Sequence, residues 1–328
     1  GYSFDRSPKN VPLIQTEFRK IQTPIPAEGT ESILAELDHY ESRSMHGQLP
    51  IVWDKAVDSC IFDISGNQWI DFTSTIFVTN IGHSNPHLIS SLKEALDKEL
   101  LHTYAYSNTI RAKYHKKLIE FTQGDFEKAF LMSAGTEACE AALKLMRLSG
   151  QNKGKRKPGI VTLEGNWHGR TMGAQLMSSN LEHKQWIGCN DPNIHHIPFP
   201  YPWELKDSSP EEFLYNSLDQ LKSDGLDLQQ DVCGFMLETF QGWGAVFYPP
   251  EFVQSLAELC RKNNILLAFD EMQSGFGRTG KRFGYEHYGV IPDLICCGKG
   301  MGSGYPLSGV LGKAEIMDLP EVGNMSST

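Results

Sequence analysis

What the chain lacks narrows the reading first. No stretch of its 328 residues comes near the roughly 20 consecutive apolar residues of a membrane-spanning helix, so no membrane role is expected. Positive charge is in deficit. Thirty Lys and Arg face 40 Asp and Glu, and the net charge of −10 argues against nucleic acid or an anionic membrane as main partner. There is no Cys-x-x-Cys and no His-Glu-x-x-His, so no metal site is expected. The seven cysteines (Cys60, Cys139, Cys189, Cys233, Cys260, Cys296 and Cys297) are odd in number and scattered, which predicts a reducing compartment, the cytoplasm. The opening Gly-Tyr-Ser-Phe-Asp-Arg carries no apolar core of an export signal. It also lacks Met, so the natural start is expected to be processed, trimmed or not shown. Asn324-Met325-Ser326 fits the glycosylation pattern and is read as chance. Internal repeats are absent.

What is present is ordinary for a globular protein: 40% apolar and 21% charged residues, and length enough for one large α/β domain plus part of another. Residues 1–72 read as an N-terminal arm and small-domain segment. Pro8, Pro12, Pro24, Pro26 and Pro50 break its first fifty residues around one helix near 31–42. Short strands are expected at 51–53, 60–64 and 69–72, with Gly66-Asn67 as a turn. Residues 73–328 read as the large domain. Helix and strand patterns alternate from about 85 onward, which predicts a mostly parallel sheet with helices on both faces. The basic run 153–157 is expected as a solvated loop, and 201–230 as peripheral loop and amphipathic helix.

The chemistry gathers where short apolar runs end. Ile265-Leu266-Leu267-Ala268-Phe269 precedes Asp270, and Leu294-Ile295-Cys296-Cys297-Gly298 precedes Lys299. Such runs read as buried parallel strands, and ligands of open α/β sheets sit outside the carboxyl ends of the strands. A lysine that attacks a carbonyl and a carboxylate that keeps a ring nitrogen protonated are the two groups pyridoxal phosphate chemistry needs. A third run, 129–132, leads into Ser133-Ala134-Gly135-Thr136 and a helix with one small or apolar face at Ala138, Ala141, Ala142, Leu145 and Met146. The Gly135-Thr136 turn offers free N–H groups at the positive end of a helix, a phosphate site; taken alone it reads equally as a plain N-cap. A fourth, 160–163, precedes Trp167 and His168, which would lie flat on a planar cofactor or simply pack. A fifth, 232–237, precedes Glu238, either in a site or paired with a buried base. Gln273 is placed to bond a ring oxygen, and glycines flanking Lys299 allow a bulky group close to the backbone.

With those residues in view, the chain resembles the class III pyridoxal-phosphate aminotransferases, which include 4-aminobutyrate, ornithine and acetylornithine aminotransferases. The most specific block is Phe269-Asp270-Glu271-Met272-Gln273-Ser274-Gly275-Phe276-Gly277-Arg278-Thr279-Gly280, continuing through Pro292-Asp293 to Gly298-Lys299-Gly300 and Gly304-Tyr305-Pro306. Ala134-Gly135-Thr136-Glu137-Ala138, Trp167-His168-Gly169-Arg170-Thr171, and Asp71-Phe72 with Gly82-His83 also fit. The resemblance runs from roughly residue 30 to the end. It implies a fold-type-I α/β transferase and the cofactor pyridoxal 5'-phosphate, joined to Lys299 as a Schiff base. Lys299 would then shuttle the proton. Asp270 would pair with the pyridinium nitrogen, Gln273 with the phenolic oxygen, and Gly135 and Thr136 with the phosphate. Trp167, with His168 beside it, takes the place of the stacking aromatic, and Glu238 would be a supporting acid. Thr328 would reach the phosphate of a neighbouring subunit, making a homodimer with shared sites. The implied reaction is ping-pong transfer of an amino group from a primary amine or amino acid to a keto acid or aldehyde.

The chain departs from that family pattern in places. Where the family has Glu-Pro-x-x-Gly and then an acid, the chain reads Glu238-Thr239-Phe240-Gln241-Gly242-Trp243. Trp243 thus replaces a gating glutamate, which implies a more apolar donor pocket. Thr75 replaces a common glycine. Members of the family run longer, so the C-terminal small domain is expected to be missing from this chain. Rival readings are an aminomutase or racemase of the same family, and a cofactor-binding chain without turnover. A nicotinamide dehydrogenase fails for want of a Gly-x-Gly-x-x-Gly after the first strand.

Overall fold

The computed structural model describes residues 4–325, so Thr328 lies outside the described residues. It divides into two compact units, 1–101 and 102–328, where the sequence suggested a boundary after 72. The N-terminal unit holds an antiparallel sheet of β1 (Ile14–Gln15), β2 (Lys20–Ile21), β3 (Trp53–Val57), β4 (Cys60–Asp63) and β5 (Gln68–Ile70), in the order β1-β2-β5-β4-β3. The expected helix spans Thr30–Tyr40. The strand expected at 51–53 instead starts at Trp53, where a bulge before Lys55 brings the chain into register with β4. Gly66-Asn67 does form the turn: the Asp63 carboxylate accepts the N–H groups of Ser65 (3.0 Å) and Asn67 (2.9 Å). Asp71 and His83 pair at 2.8 Å. Ser74, Thr75, Ile76 and Phe77 all have φ between 48 and 67°, a left-handed turn made without any glycine.

The larger unit is built on a seven-stranded sheet of β6 (Lys128–Met132), β7 (Gly159–Leu163), β8 (Ile194–Ile197), β9 (Val232–Glu238), β12 (Leu266–Asp270), β13 (Leu294–Cys297) and β14 (Ser308–Gly312). The short hairpin β10 (Phe240–Gln241) and β11 (Val246–Phe247) follows β9. The strand order is β6-β14-β13-β12-β9-β7-β8. Pairing is parallel except around β14, which runs against both β13 and β6. Six strands therefore end on one edge, and β14 begins there.

Alternation along the strands sends residues to two cores. Phe235, Leu237, Leu267, Phe269 and Ile295 face a core closed by helices Pro210–Ser223 and Pro250–Lys262. Met236, Ala268, Leu294 and Cys296 face the helix Gly135–Asn152, whose expected face (Ala138, Ala141, Ala142, Leu145 and Met146) is buried. Asp270 and Glu238 share the parity of Ala268 and Met236, so both carboxylates stand on the side of that helix. The segment 201–230 carries the expected amphipathic helix, Pro210–Ser223, with Leu214 and Leu218 fully buried on its inner face. The basic run 153–157 forms the expected surface loop, and it is anchored. Lys155 donates to the Asn263 carbonyl at 2.8 Å, and Arg156 grips the wholly buried Asp231 with two nitrogens (3.0 and 3.1 Å). A buried carboxylate needs such a partner.

Candidate active site

Five strand ends converge. Asp270 closes β12, and its backbone stands in register with Glu238 of β9 on one side and Cys296 of β13 on the other. Lys299 lies three residues past Cys296, which puts the carboxylate and the amine at adjacent strand ends. Lys299 has φ of +44°, in the left-handed region that a lysine rarely occupies. It is half-buried, and among the described residues no hydrogen bond or ion pair engages its ammonium. Its positive charge is felt by Glu238.

Asp270 is held by more groups than the sequence revealed. Its Oδ2 accepts from His168 Nδ1 at 3.0 Å and from the Cys139 thiol at 3.4 Å. Its Oδ1 accepts the Met272 N–H at 3.0 Å. The remaining His168 nitrogen meets the Thr162 hydroxyl at 3.3 Å, which is consistent with a proton on Nδ1. His168 is thus a buried support beneath Asp270, while Trp167 is half-buried and faces outward. Trp167 meets Trp243 edge-on (5.8 Å, 84°), and the Arg170 guanidinium lies 4.6 Å over its ring. With Oδ2 saturated from below, Oδ1 keeps a lone pair for a further donor.

Glu238 is 4% exposed. Burial and then the charge of Asp270 push its carboxyl up to about 8, against the pull of the Trp167 and Gly242 N–H groups and the charge of Lys299. The Trp167 N–H bond is 3.0 Å. Gln273 Nε2 and Glu238 Oε1 both occupy the space a side chain at Gly242 would fill, so any larger residue there would displace them.

At the other end, Gly135 and Thr136 open the 18-residue helix, whose first N–H groups have no intrahelical acceptor. Gly135 has no room for a Cβ because Met272 Sδ would lie 2.7 Å from it. The Thr136 hydroxyl contacts Thr171 Oγ1 (2.6 Å), which in turn donates to Glu140 (2.7 Å). With its proton directed to Thr171, Thr136 offers an anion its backbone N–H rather than its hydroxyl. Ser308, at the start of β14, ties the cradle down by donating to the Ala134 carbonyl at 2.7 Å.

Glu271, beside Asp270 in sequence, points the other way. It is fully buried and accepts from Ser274 Oγ (2.5 Å), Gly284 N–H (2.9 Å) and Tyr285 N–H (2.8 Å), which folds the glycine-rich loop back on itself. The structure therefore brings together Asp270, Glu238, His168, Trp167 and Gln273. Gly135 and Thr136 lie past the end of the edge strand β6, against Met272, and Lys299 follows β13, the strand paired with β12. Sequence reasoning missed Cys139, Glu271, Thr171 and Ser308. Cys139 alone had a signal, because Cys139, Ala142 and Met146 share the i, i+3, i+7 face.

The donor set fits pyridoxal phosphate: an anion cradle at a helix start, a carboxylate oxygen with a free lone pair, and an unengaged amine. Comparison with known proteins agrees. The family model described as "Aminotransferase class-III" matches residues 41–328. A 4-aminobutyrate aminotransferase of Mycobacterium leprae is 33% identical over 325 residues, covering 94% of this chain and 70% of that protein. An (S)-enantioselective omega-transaminase from Thermomicrobium roseum superposes with a TM-score of 0.80 at 25% identity, covering 88% of this chain and 67% of that one. A taurine:2-oxoglutarate aminotransferase from Bifidobacterium kashiwanohense, solved in complex with PLP and glutamate, gives 0.79 at 25% identity, covering 88% and 66%.

Proposed function

Since the chain belongs to the class-III aminotransferases, which transfer amino groups between amines or amino acids and keto acids with pyridoxal phosphate, we propose how its own residues divide that work. When bound, the cofactor supplies an electron sink for the carbanion formed at the substrate carbon. Lys299 is the amine that would hold the cofactor, and its Nζ would carry the proton. Asp270 Oδ1 would face the ring nitrogen as a charge-assisted acceptor, made directional by the three donors that already hold the carboxylate. The N–H groups of Gly135 and Thr136 hold the phosphate. Trp167 packs on the ring, Gln273 faces its phenolic oxygen, and Glu238 supports both through the Trp167 N–H and its closeness to Gln273. These roles fall in the unit 102–328, within the segment 73–328 that the sequence assigned to the cofactor.

An open cavity of about 710 Å³ beside Trp167, walled by Tyr201, Trp203, Trp243 and His183, receives the apolar part of the amino donor. A homodimer in which Thr328 completes the partner's phosphate site remains part of the proposal, as does a cytoplasmic setting. The latter is supported by seven cysteines that are all free.

The observation that carries this reading is the placement of Asp270 and Lys299 at adjacent, parallel strand ends. The test is Lys299→Ala. The protein should lose the visible absorbance of lysine-bound cofactor and any borohydride-reducible linkage, while its circular dichroism stays unchanged. A linkage that survives the substitution would end the assignment.

A further inference from the structure

Asp270 takes a hydrogen bond from sulfur, and this is the least expected contact in the molecule. Cys139 sits at the start of the second turn of the helix Gly135–Asn152, is wholly buried, and has its Sγ 3.4 Å from Asp270 Oδ2. His168 Nδ1 reaches the same oxygen at 3.0 Å. The neighbouring Cys296 thiol is spent on the Ala138 carbonyl at 3.4 Å. We propose that Cys139 is a positioning residue for the reaction: its S–H, with the His168 N–H, fixes the orientation of the Asp270 carboxylate toward the cofactor ring. The proposal rests on the role of Asp270 given above.

The chemistry supports a donor rather than a metal ligand. The Cys139 sulfur, His168 and Asp270 ligand atoms lie within 4.8 Å of one another, a spacing that would also suit a cation. Metal ligation needs the thiolate. Hydrogen bonding with Cys296, burial and the charge of Asp270 all push the Cys139 thiol well above its ordinary range, so the sulfur keeps its proton. A protonated thiol flanked by the Cys296 sulfur and a carboxylate oxygen donates to the stronger acceptor, the carboxylate.

The experiment measures the affinity of the full chain for pyridoxal 5'-phosphate at neutral pH, by equilibrium dialysis, in the wild type, Cys139→Ala and Cys139→Ser. Without the sulfur donor the Asp270 carboxylate is less firmly aimed, and affinity should fall about threefold, the size expected of one weak neutral hydrogen bond. Cys139→Ser keeps a donor and should restore the wild-type affinity. Equal affinities in wild type and Cys139→Ala would overturn the proposal. So would equal losses in Ala and Ser, which would mark a packing effect, and so would stoichiometric uptake of zinc that depends on Cys139. Failure of the wild type to take up cofactor, or an intact linkage in Lys299→Ala, would instead bring down the underlying role of the site.

Discussion

Replacing Glu238 by Gln should remove a pH dependence of stability that this one carboxyl imposes. The group is 4% exposed, and its pKa rises from 4.5 to about 8 because of burial first and the Asp270 charge second. Below about pH 4.5 the folded and unfolded chains both hold the proton and Glu238 costs nothing. Between 4.5 and 8 the unfolded chain has released the proton while the folded one retains it. Stability therefore falls as pH rises through this window, and the loss is complete above about 8. At about 1.4 kcal/mol per pH unit, the span has a ceiling near 5 kcal/mol. Local opening that admits water to the carboxylate brings the measurable part down to about 2–3 kcal/mol. The Gln carbonyl can accept the same Trp167 and Gly242 N–H groups, so little else changes. Urea unfolding of the cofactor-free protein at pH 5 and pH 8 gives the answer. Wild type should lose about 2–3 kcal/mol more than Glu238→Gln between the two pH values, with the pair nearly equal at pH 5. Two stability curves that stay parallel across the range would refute the reasoning.

Glu271→Leu strands the Ser274 hydroxyl and the Gly284 and Tyr285 N–H groups in the core, and should cost about 3 kcal/mol or more while exposing the 273–285 loop to protease. A loss below 1 kcal/mol, with the loop still resistant, would show that the carboxylate is not its anchor. Trp243→Ala opens the aromatic wall of the cavity and should raise KM for aromatic amines about tenfold, with small aliphatic donors little affected. An equal change for both classes would place the donor elsewhere.

The strand ends that bear chemistry were legible because the sheet buries both faces. Leu266–Asp270 and Leu294–Cys297 must be continuous apolar runs, and whatever polar group closes such a run stands at the edge where ligands bind. The helix face at Ala138, Ala142 and Met146 was legible for the same reason of period. Other parts carried no such signal. β14 reads Ser-Gly-Val-Leu-Gly, too glycine-rich to announce a strand, and its antiparallel insertion is a matter of pairing that composition does not encode. β8, with two histidines among four residues, is a half-buried edge strand without a plain pattern. The basic loop was legible as surface, but its anchoring by the buried Asp231 far along the chain was not. The roles of Cys139 and Glu271 depend on which face each side chain takes after the fold is set.

The strand carrying the anion cradle joins its sheet through β14 alone, and the bond between Ser308 and Ala134 links residues 174 apart. In a polypeptide made from its amino end, the loop at 133–136 must wait for the 174 residues up to Ser308 to be synthesised before its floor is laid. Assembly of such distant partners is slow. A nascent chain halted before residue 308 would possess the lysine and its aspartate yet have nothing firm on which to seat the phosphate, so competence for the cofactor arrives late and abruptly rather than by degrees.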